Sequence, residues 1–236
     1  MKLHRFYTNI DIEEGKINSL PDHSLIHQIE NVLRLKQGDK IVLFNGSGRD
    51  FESEIISLNK NEMTFRVVNT KIVKPHSSLK LSLAFSLIKK DNTEWIIQKC
   101  TELGVTEFIP VVSERSEKKG FNLERAKKIM IEACEQSGRG DIPEIFEPRL
   151  LTEFLENEKR KIVSFHTEGE NFRREDFTDQ IKSANLEIVA CIGPEGGWSE
   201  KEVSLFKKIG TSIVSLDMPI LRAETAAVAI STLFLF

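Results

Sequence analysis

The sequence has few of the residues that build a disulfide framework or a metal cluster. It holds only three cysteines, Cys100, Cys134 and Cys191, and they are widely spaced within apolar patterns. An odd number of separated cysteines favours reduced thiols in a core over disulfide pairing. His23 and His27 are four positions apart and fit one face of a helix, but a zinc site needs more ligands nearby and the sequence offers none. We therefore predict no metal.

Two further absences bear on location and partners. No run approaches the roughly 20 apolar residues of a membrane span, and the N-terminal residues lack an apolar stretch of signal-peptide length. These absences predict a cytoplasmic protein. The 33 basic and 36 acidic side chains give a formal net charge of −3. The chain thus lacks the basic excess that attracts nucleic acid indiscriminately, and any RNA contact depends on local patches.

The 236 residues, 40% of them hydrophobic, are enough for one large domain or two smaller ones. Residues 1–74 have the pattern of a small β-rich unit, because three short runs rich in Val, Ile and Phe follow a helical segment and are separated by "NGSG" and "NKNE". This spacing predicts hairpins and a small barrel. The stretch "KPHSS", Lys74–Ser78, is the candidate linker.

Beyond the linker, strand-like apolar runs alternate with helical segments. Continuous apolar strands between helices predict an α/β domain at 75–236, with a parallel sheet covered on both faces. The closing segment "ETAAVAISTLFLF" predicts a buried helix, which packs in its own core or against a second subunit.

The stretch "IGPEGGWSEKEV" joins the end of a predicted strand to the start of a predicted helix. Ligands of α/β sheets bind at the carboxyl ends of strands, and glycine lets the backbone approach them closely. Ser199 and Glu202 form a capping box, which predicts a helix start near Glu200. The spacing is neither G-x-G-x-x-G nor a phosphate loop, so dinucleotide and triphosphate sites are disfavoured. A tight turn without a ligand is the alternative.

Two other stretches have candidate functional residues beside a helix end. "SLDMPILRAETAAVA" places Arg222 and Glu224 just before an alanine-rich segment, and "EACEQSGRGDIPEI" places Glu135, Gln136 and Arg139 near the carboxyl end of another helix. If the first stretch and the glycine turn follow neighbouring strands, they form a cleft lined by main-chain groups. The alternatives are a surface arginine in the first stretch and ordinary helix termination at Gly138 in the second.

Together with "RLKQGDKIVLFNGSG" and "IIQKCTELGVTEFIPVVSERS", these stretches resemble, in order and spacing, the bacterial methyltransferases that modify ring nitrogen 3 of a uridine in small-subunit ribosomal RNA. These enzymes belong to the SPOUT superfamily. The resemblance covers nearly the whole chain. It implies an N-terminal PUA-like β-barrel that binds RNA, a C-terminal knotted α/β domain that binds S-adenosylmethionine, and a homodimer formed through that C-terminal domain.

The resemblance also implies a set of site residues. The cofactor-binding residues it implies are Ile192, Gly193, Pro194, Glu195, Gly196, Gly197, Leu216, Ile220 and Leu221. In one place the chain departs from the pattern. Similar proteins commonly have leucine, glycine, any residue and arginine before "ILR", whereas this chain has Asp217 and Pro219 at the glycine and arginine positions. Aspartate adds a side chain and proline removes an N–H group there, so the departure bears on cofactor affinity and on the path of the loop.

The catalytic residues implied are Arg222 and Glu224. Arg222 would stabilise negative charge on the uracil oxygens, and Glu224, Glu195 or a water would take the proton from the ring nitrogen. In the barrel, Arg5 and Arg34 are candidate RNA contacts, and Gln136 and Arg139 are candidate contacts to RNA or to the partner subunit. A non-catalytic RNA-binding protein of the PUA-like class is the alternative function. It accounts for the barrel but not for the glycine turn.

Overall fold

The computed structural model describes residues 3–75, 77–117, 120–173, 175 and 187–236. Its internal contacts divide the chain into two compact units. The first comprises Met1–Pro75 together with Cys134–Ile142, and the second comprises His76–Ala133 and Pro143–Phe236. The sequence predicts one boundary near residue 74, which leaves the short segment Cys134–Ile142 in the second domain, whereas the contacts assign this segment to the first unit. Of the predicted linker, His76 lies outside the described residues.

The first unit is built on a five-stranded sheet with the order β1-β3-β4-β5-β2. Its strands are β1 (Arg5–Tyr7), β2 (Ile17–Leu20), β3 (Lys40–Phe44), β4 (Arg49–Leu58) and β5 (Met63–Ile72). The three predicted runs are β3, β4 and β5, and they pair as antiparallel hairpins. β1 joins β3 in parallel, and β2 joins β5. The ladder of described strands thus ends at β1 and β2, which gives a partly open barrel.

A short helix closes one side of this sheet. Helix α1 (His23–His27) begins at the cap Asp22, whose carboxylate accepts from the backbone N–H groups of Ser24 and Leu25, and it continues as a π-helical turn over Gln28–Val32. The main cluster of buried core residues in the unit comprises Phe6, Leu20, Leu25, Ile26, Ile29, Ile41, Leu43, Ile55, Met63 and Phe65. Alternate positions of the strands supply this core, as expected for a sheet with one buried face.

The second unit contains a seven-stranded sheet in which each described ladder is parallel. Its strands are β6 (Lys80–Ser86), β7 (Glu107–Val112), β8 (Glu144–Ile145), β9 (Arg149–Leu150), β10 (Lys161–Asn171), β11 (Glu187–Ile192) and β12 (Ser212–Ser215). The order is β12-β10-β11-β6-β7-β8, and β9 also pairs with β7. The predicted α/β class with a parallel sheet is confirmed.

Helices lie between these strands along the chain, and their bounds are α2 (Lys90–Leu103), α3 (Leu123–Ser137), α4 (Leu151–Asn157), α5 (Glu200–Lys208) and α6 (Ala223–Leu235). The central strands are buried on both faces. Val163 and Ala190 belong to one hydrophobic cluster, whereas Ile162 and Val189, their neighbours along the chain, belong to another. This alternation explains why the strands read as continuous apolar runs.

All three cysteines are buried with free thiols, as predicted. Burial raises the pKa of Cys100 and of Cys134 to about 12, and burial also raises the pKa of Cys191. The reactive form of cysteine is the thiolate, so these thiols are unreactive at neutral pH. Among the residues described, no helix has both the length and the apolar character needed to cross a bilayer.

Candidate functional site

A cleft of about 830 Å³ opens at the carboxyl ends of β10, β11 and β12. β11 and β12 are not neighbours in the sheet, because β10 lies between them. The end of β10 therefore adds a third wall to the two that the sequence indicated. The described residues that line it are Arg115, Phe165, His166, Thr167, Glu168, Gly169, Asn171, Ile192, Gly193, Pro194, Glu195, Gly196, Gly197, Trp198, Val214, Ser215, Leu216, Asp217, Met218, Pro219, Ile220, Leu221, Ala223, Ala226 and Ile230.

The first wall is the glycine turn that follows β11. Gly197 closes it by donating its backbone N–H to the carbonyl of Pro194 at 2.8 Å. Its φ of +68° lies in the left-handed region, which explains why glycine is required at this position. At Gly193 the reason is packing, since a Cβ there would lie 3.2 Å from the ring of Trp198. The turn is thus shaped partly by the protein's own contacts.

Trp198 fixes this turn to the adjacent strand. Its ring is buried, its Nε1 donates to the carbonyl of Phe165 at 3.1 Å, and it packs edge-on against Phe206. Helix α5 begins directly afterwards at Glu200, with the predicted capping box between Ser199 and Glu202. The start of the helix and its cap, both predicted from the sequence, are confirmed.

The second wall is the loop that follows β12. Ile220 is 87% exposed and Met218 is 47% exposed, so two large apolar side chains of this loop are available to a ligand. Asp217, at the position where the family resemblance implies glycine, has a φ of +48°. The backbone therefore adopts a left-handed conformation at this aspartate, which is among the residues that tolerate it better than most.

Arg222 and Glu224 lie where this second loop meets helix α6. Arg222 is the cap residue of the helix and its side chain is exposed. Glu224 is in the first turn, and its Oε2 atom is buried without a hydrogen-bond partner among the described residues. Neither side chain is among the described lining of the cleft, although Ala223 between them is. An unpartnered buried carboxylate oxygen is costly, which makes it a candidate acceptor for a donor that is bound during function.

The third wall is the end of β10, which sequence reasoning missed. The apolar run "KIVSFH" predicts a strand that ends at His166, but β10 continues to Asn171 and shifts register against β12 between Phe165 and Glu170. Nδ1 of His166 accepts the backbone N–H of Glu168 at 3.1 Å. This bond assigns the proton of the neutral imidazole to Nε2. No local pattern in "FHTEGEN" signals a binding segment.

The cleft fits S-adenosylmethionine in size and in chemistry. Its volume lies in the range of about 300–1,000 Å³ that is usual for small-molecule sites. Apolar side chains of Ile192, Leu216 and Leu221 suit an adenine ring, and the glycine turn brings main-chain groups to the same space. Exposed carboxylates such as Glu168 and Glu195 provide negative charge for a cationic ligand. All nine predicted cofactor-binding residues line this one cleft.

The four predicted RNA contacts all belong to the first unit. Arg34 and Gln136 are exposed. The Arg5 side chain is only 9% exposed, because its guanidinium pairs with Asp50 and also donates to the carbonyls of Cys134 and Arg139 at 2.7 Å. Through these contacts Arg5 links β1 to the segment Cys134–Ile142.

Arg139 is held in a similar way, by an ion pair with Asp141 at 2.6 Å. Burial of Asp141 opposes its ionisation, but the hydrogen bond and charge of Arg139 outweigh this effect and lower the pKa of the carboxyl. Both arginines therefore support the local structure, whereas Arg34 and Gln136 are open to solvent.

Comparison with known proteins supports the same interpretation of both units. A family model described as "RNA methyltransferase domain" matches residues 75–235, and one described as "RNA methyltransferase PUA domain" matches residues 29–68. Ribosomal RNA small subunit methyltransferase E of Rickettsia conorii is 34% identical to this chain over 230 residues, which cover 97% of this chain and 93% of the relative. The protein of the same name from Bacillus subtilis is 29% identical over 232 residues, which cover 92% of this chain and 91% of the relative.

A solved structure supports the same family assignment. The crystal structure of a ribosomal RNA small subunit methyltransferase E from Neisseria gonorrhoeae, bound to S-adenosyl methionine, is 30% identical. The superposition covers 98% of this chain and 95% of the Neisseria chain, and its TM-score is 0.86. Because one family model spans more than half of the residues and relatives match almost end to end, this chain belongs to the RNA methyltransferase family whose curated members are named Ribosomal RNA small subunit methyltransferase E.

Proposed function

We propose that this protein is an S-adenosylmethionine-dependent methyltransferase that methylates ring nitrogen 3 of a uridine in the 16S RNA of the small ribosomal subunit. The observation that carries the proposal is the cleft at the carboxyl ends of β10, β11 and β12, which joins the glycine turn, the exposed apolar loop and all nine candidate cofactor residues. The names of its relatives and the cofactor bound in their structures support this assignment.

Bound S-adenosylmethionine supplies a methyl group that its sulfonium already makes electrophilic. The protein then has mainly to align donor and acceptor, and good alignment is worth about 7–11 kcal/mol. The glycine turn, anchored by Trp198, and the loop Leu216–Leu221 form two walls for this purpose. The buried side chains of Ile192 and Ile230 give part of the cleft an apolar lining.

The acceptor nitrogen of uracil has a proton and lies on the pairing edge, so the base must be unpaired or extruded and must lose that proton. Arg222 is exposed at the cap of α6, where its planar guanidinium can stabilise the negative charge that develops on the uracil oxygens. Glu224 is our candidate for the proton acceptor, since its Oε2 is buried and unpartnered among the described residues. Glu195 or a water is the alternative acceptor.

We assign residues 1–74 to RNA binding and residues 75–236 to methyl transfer. Arg34 and Gln136 are both exposed, so we propose Arg34 as a contact to RNA and Gln136, although it lies beyond residue 74, as a contact to RNA or to the partner subunit. Arg5 and Arg139 would act on RNA through the segment that they hold in place. We further propose a homodimer formed through the C-terminal domain, and a location in the cytoplasm, where bacterial ribosomes are assembled.

A non-catalytic RNA-binding protein is the competing function. It would use the first unit but would leave the cleft of the second without a ligand. The two functions differ in one simple measurement, because a pure binding module has no reason to bind S-adenosylmethionine. Calorimetry of the purified chain with the cofactor should therefore give saturable binding with one site for each chain.

The direct test is methyl transfer from labelled S-adenosylmethionine to small ribosomal subunits from a strain that lacks this gene. Mass spectrometry of the RNA should find one new methyl group on ring nitrogen 3 of a uridine. Cofactor binding without transfer to either subunits or free 16S RNA would contradict the proposed substrate. Absence of cofactor binding would contradict the enzyme altogether.

Variants of Arg222 test the catalytic assignment. Arg222→Ala should lower turnover about 10²–10³-fold, the usual cost of losing one preorganised donor, with little change in cofactor affinity. Arg222→Lys should recover only part of this loss, because lysine keeps the charge but not the planar fork. Wild-type turnover in Arg222→Ala would make Arg222 a surface residue, and a matching fall in cofactor affinity would assign it to cofactor binding.

A further inference from the structure

Arg115 occupies a tightly braced turn that follows β7 and reaches the cleft. The turn is held by three serine hydroxyls, because Ser86 Oγ donates to Ser113 Oγ at 2.9 Å and Ser116 Oγ lies 2.8 Å from both the backbone N and the Oγ of Ser113. Short hydroxyl bonds of this kind fix the local backbone. The backbone beside Arg115 is therefore held by contacts within its own turn.

Glu202 ties the same turn to the glycine wall of the cleft. Its Oε2 accepts the backbone N–H of Ser199 at 2.8 Å, which is half of the capping box of α5. Its Oε1 accepts the backbone N–H of Glu114 at 2.8 Å. One buried carboxylate thus holds the start of α5 and the turn that carries Arg115 in a fixed relation.

The guanidinium of Arg115 lies beside the glycine turn with most of its donors available. Nη1 donates to the carbonyl of Gly196 at 2.5 Å, and a Cβ on Gly196 would lie 3.2 Å from Arg115 Cδ. The other guanidinium nitrogens have no hydrogen-bond partner among the described residues, and the side chain is exposed. Arg115 is the one arginine or lysine in the described lining, while Glu168, Glu195 and Asp217 are acidic.

We propose that Arg115 is a substrate-positioning residue, which binds a backbone phosphate of the target RNA at the mouth of the cleft. This inference rests on the proposed function. A polyanionic substrate that enters a cleft rimmed by three carboxylates needs a compensating cation close to the reacting base. A planar guanidinium that uses one edge for the Gly196 carbonyl keeps further donors for a phosphate. Its exposure favours the RNA outside over the carboxylate of a cofactor that is bound deeper.

The test compares Arg115→Gln and Arg115→Lys with the wild type on small ribosomal subunits. Arg115→Gln should raise KM about 5–10-fold, leave kcat within about 2-fold, and lower the slope of log affinity against log salt by about one, as expected for one lost phosphate contact. Arg115→Lys should restore the salt slope, because it restores the charge. Calorimetry should give S-adenosylmethionine affinities within about 2-fold of wild type for both variants.

Arg125→Gln is the matched control, since Arg125 is an exposed arginine of the same unit that already pairs with Glu94 and lies outside the cleft lining. Its KM and salt slope should equal those of the wild type. Two results would overturn the inference: an unchanged KM and salt slope in Arg115→Gln, or a loss of cofactor affinity as large as the rise in KM. An inactive wild type would instead contradict the proposed function itself.

Discussion

At the scale of single residues, Asp217 adopts a left-handed backbone conformation, which glycine adopts more readily than other residues. Its φ of +48° is left-handed, at a position where the family resemblance implies glycine. For most side chains this conformation costs about 1–2 kcal/mol. The sequence alone predicted only that the substitution bears on the path of the loop, because it does not specify φ.

Substitutions at Asp217 should therefore rank by their tolerance of a left-handed backbone. We expect Asp217→Gly to equal or exceed the wild type in stability, and Asp217→Val to be less stable than Asp217→Gly by about 1–2 kcal/mol. Asp217→Asn is the control that should match the wild type, since asparagine shares this tolerance. Denaturant unfolding measures the differences. Equal stability of the valine and glycine variants would mean that the loop does not hold this conformation in solution.

At the scale of elements, the site depends on where β10 lies in the sheet. Local patterns predicted β3, β4 and β5, the longer strands of the parallel sheet, the capped start of α5, and α6, but not the short strands β1, β2, β8 and β9. They did not predict that β10 lies between β11 and β12, nor that it extends to Asn171. Strand order follows from packing between segments distant in sequence, and a period-two pattern contains no information about it. The third wall of the cleft was missed for this reason.

Gly169 tests the importance of this wall. A Cβ there would lie 2.5 Å from the carbonyl carbon of Val214 and 2.7 Å from its backbone N, so β10 and β12 would have to separate. We expect Gly169→Ala to lower the free energy of unfolding by about 1–3 kcal/mol, as overpacking commonly does. Calorimetry should also show weaker S-adenosylmethionine binding, because the wall moves.

Gly196→Ala is the matched control for this prediction. It adds the same methyl group in the same cleft, but the atom it meets is Cδ of the flexible Arg115 side chain at 3.2 Å. Its stability cost should be clearly smaller than that of Gly169→Ala. If both variants unfold at the same denaturant concentration, the close approach of the two strands is not a constraint in solution.

At the scale of the whole molecule, the C-terminal helix α6 bears on assembly. One face packs in the core through Ala227, Ile230 and Phe234, whereas Leu233 and Phe236 are exposed, the latter by 59%. Exposed apolar side chains close together at one end of a helix favour an interface between subunits. The sequence left open whether this helix packs in its own core or against a second subunit, and the structure establishes the first contact.

We expect light scattering at micromolar concentration to give the mass of a dimer, because obligate interfaces commonly bury on the order of 2,000 Å² or more. Replacing Leu233 and Phe236 together with Ser should shift the equilibrium towards monomer and lower activity. Thr232→Ser, a change at an exposed neighbour, is the control that should leave the mass unchanged. A monomeric mass for the wild type would contradict the proposed homodimer.

The sequence by itself determined the local features of this protein: the α/β class, the capping box at Ser199 and Glu202, the glycine turn and the buried thiols. Each follows from short-range periodicity, from backbone preferences or from side chains a few positions apart. Only the tertiary structure brought Arg115 within hydrogen-bonding distance of Gly196, 81 positions away. It also placed the end of β10 between the glycine turn and the loop that follows β12. Contacts of that kind depend on strand order and on the packing of distant segments, so no local pattern specifies them.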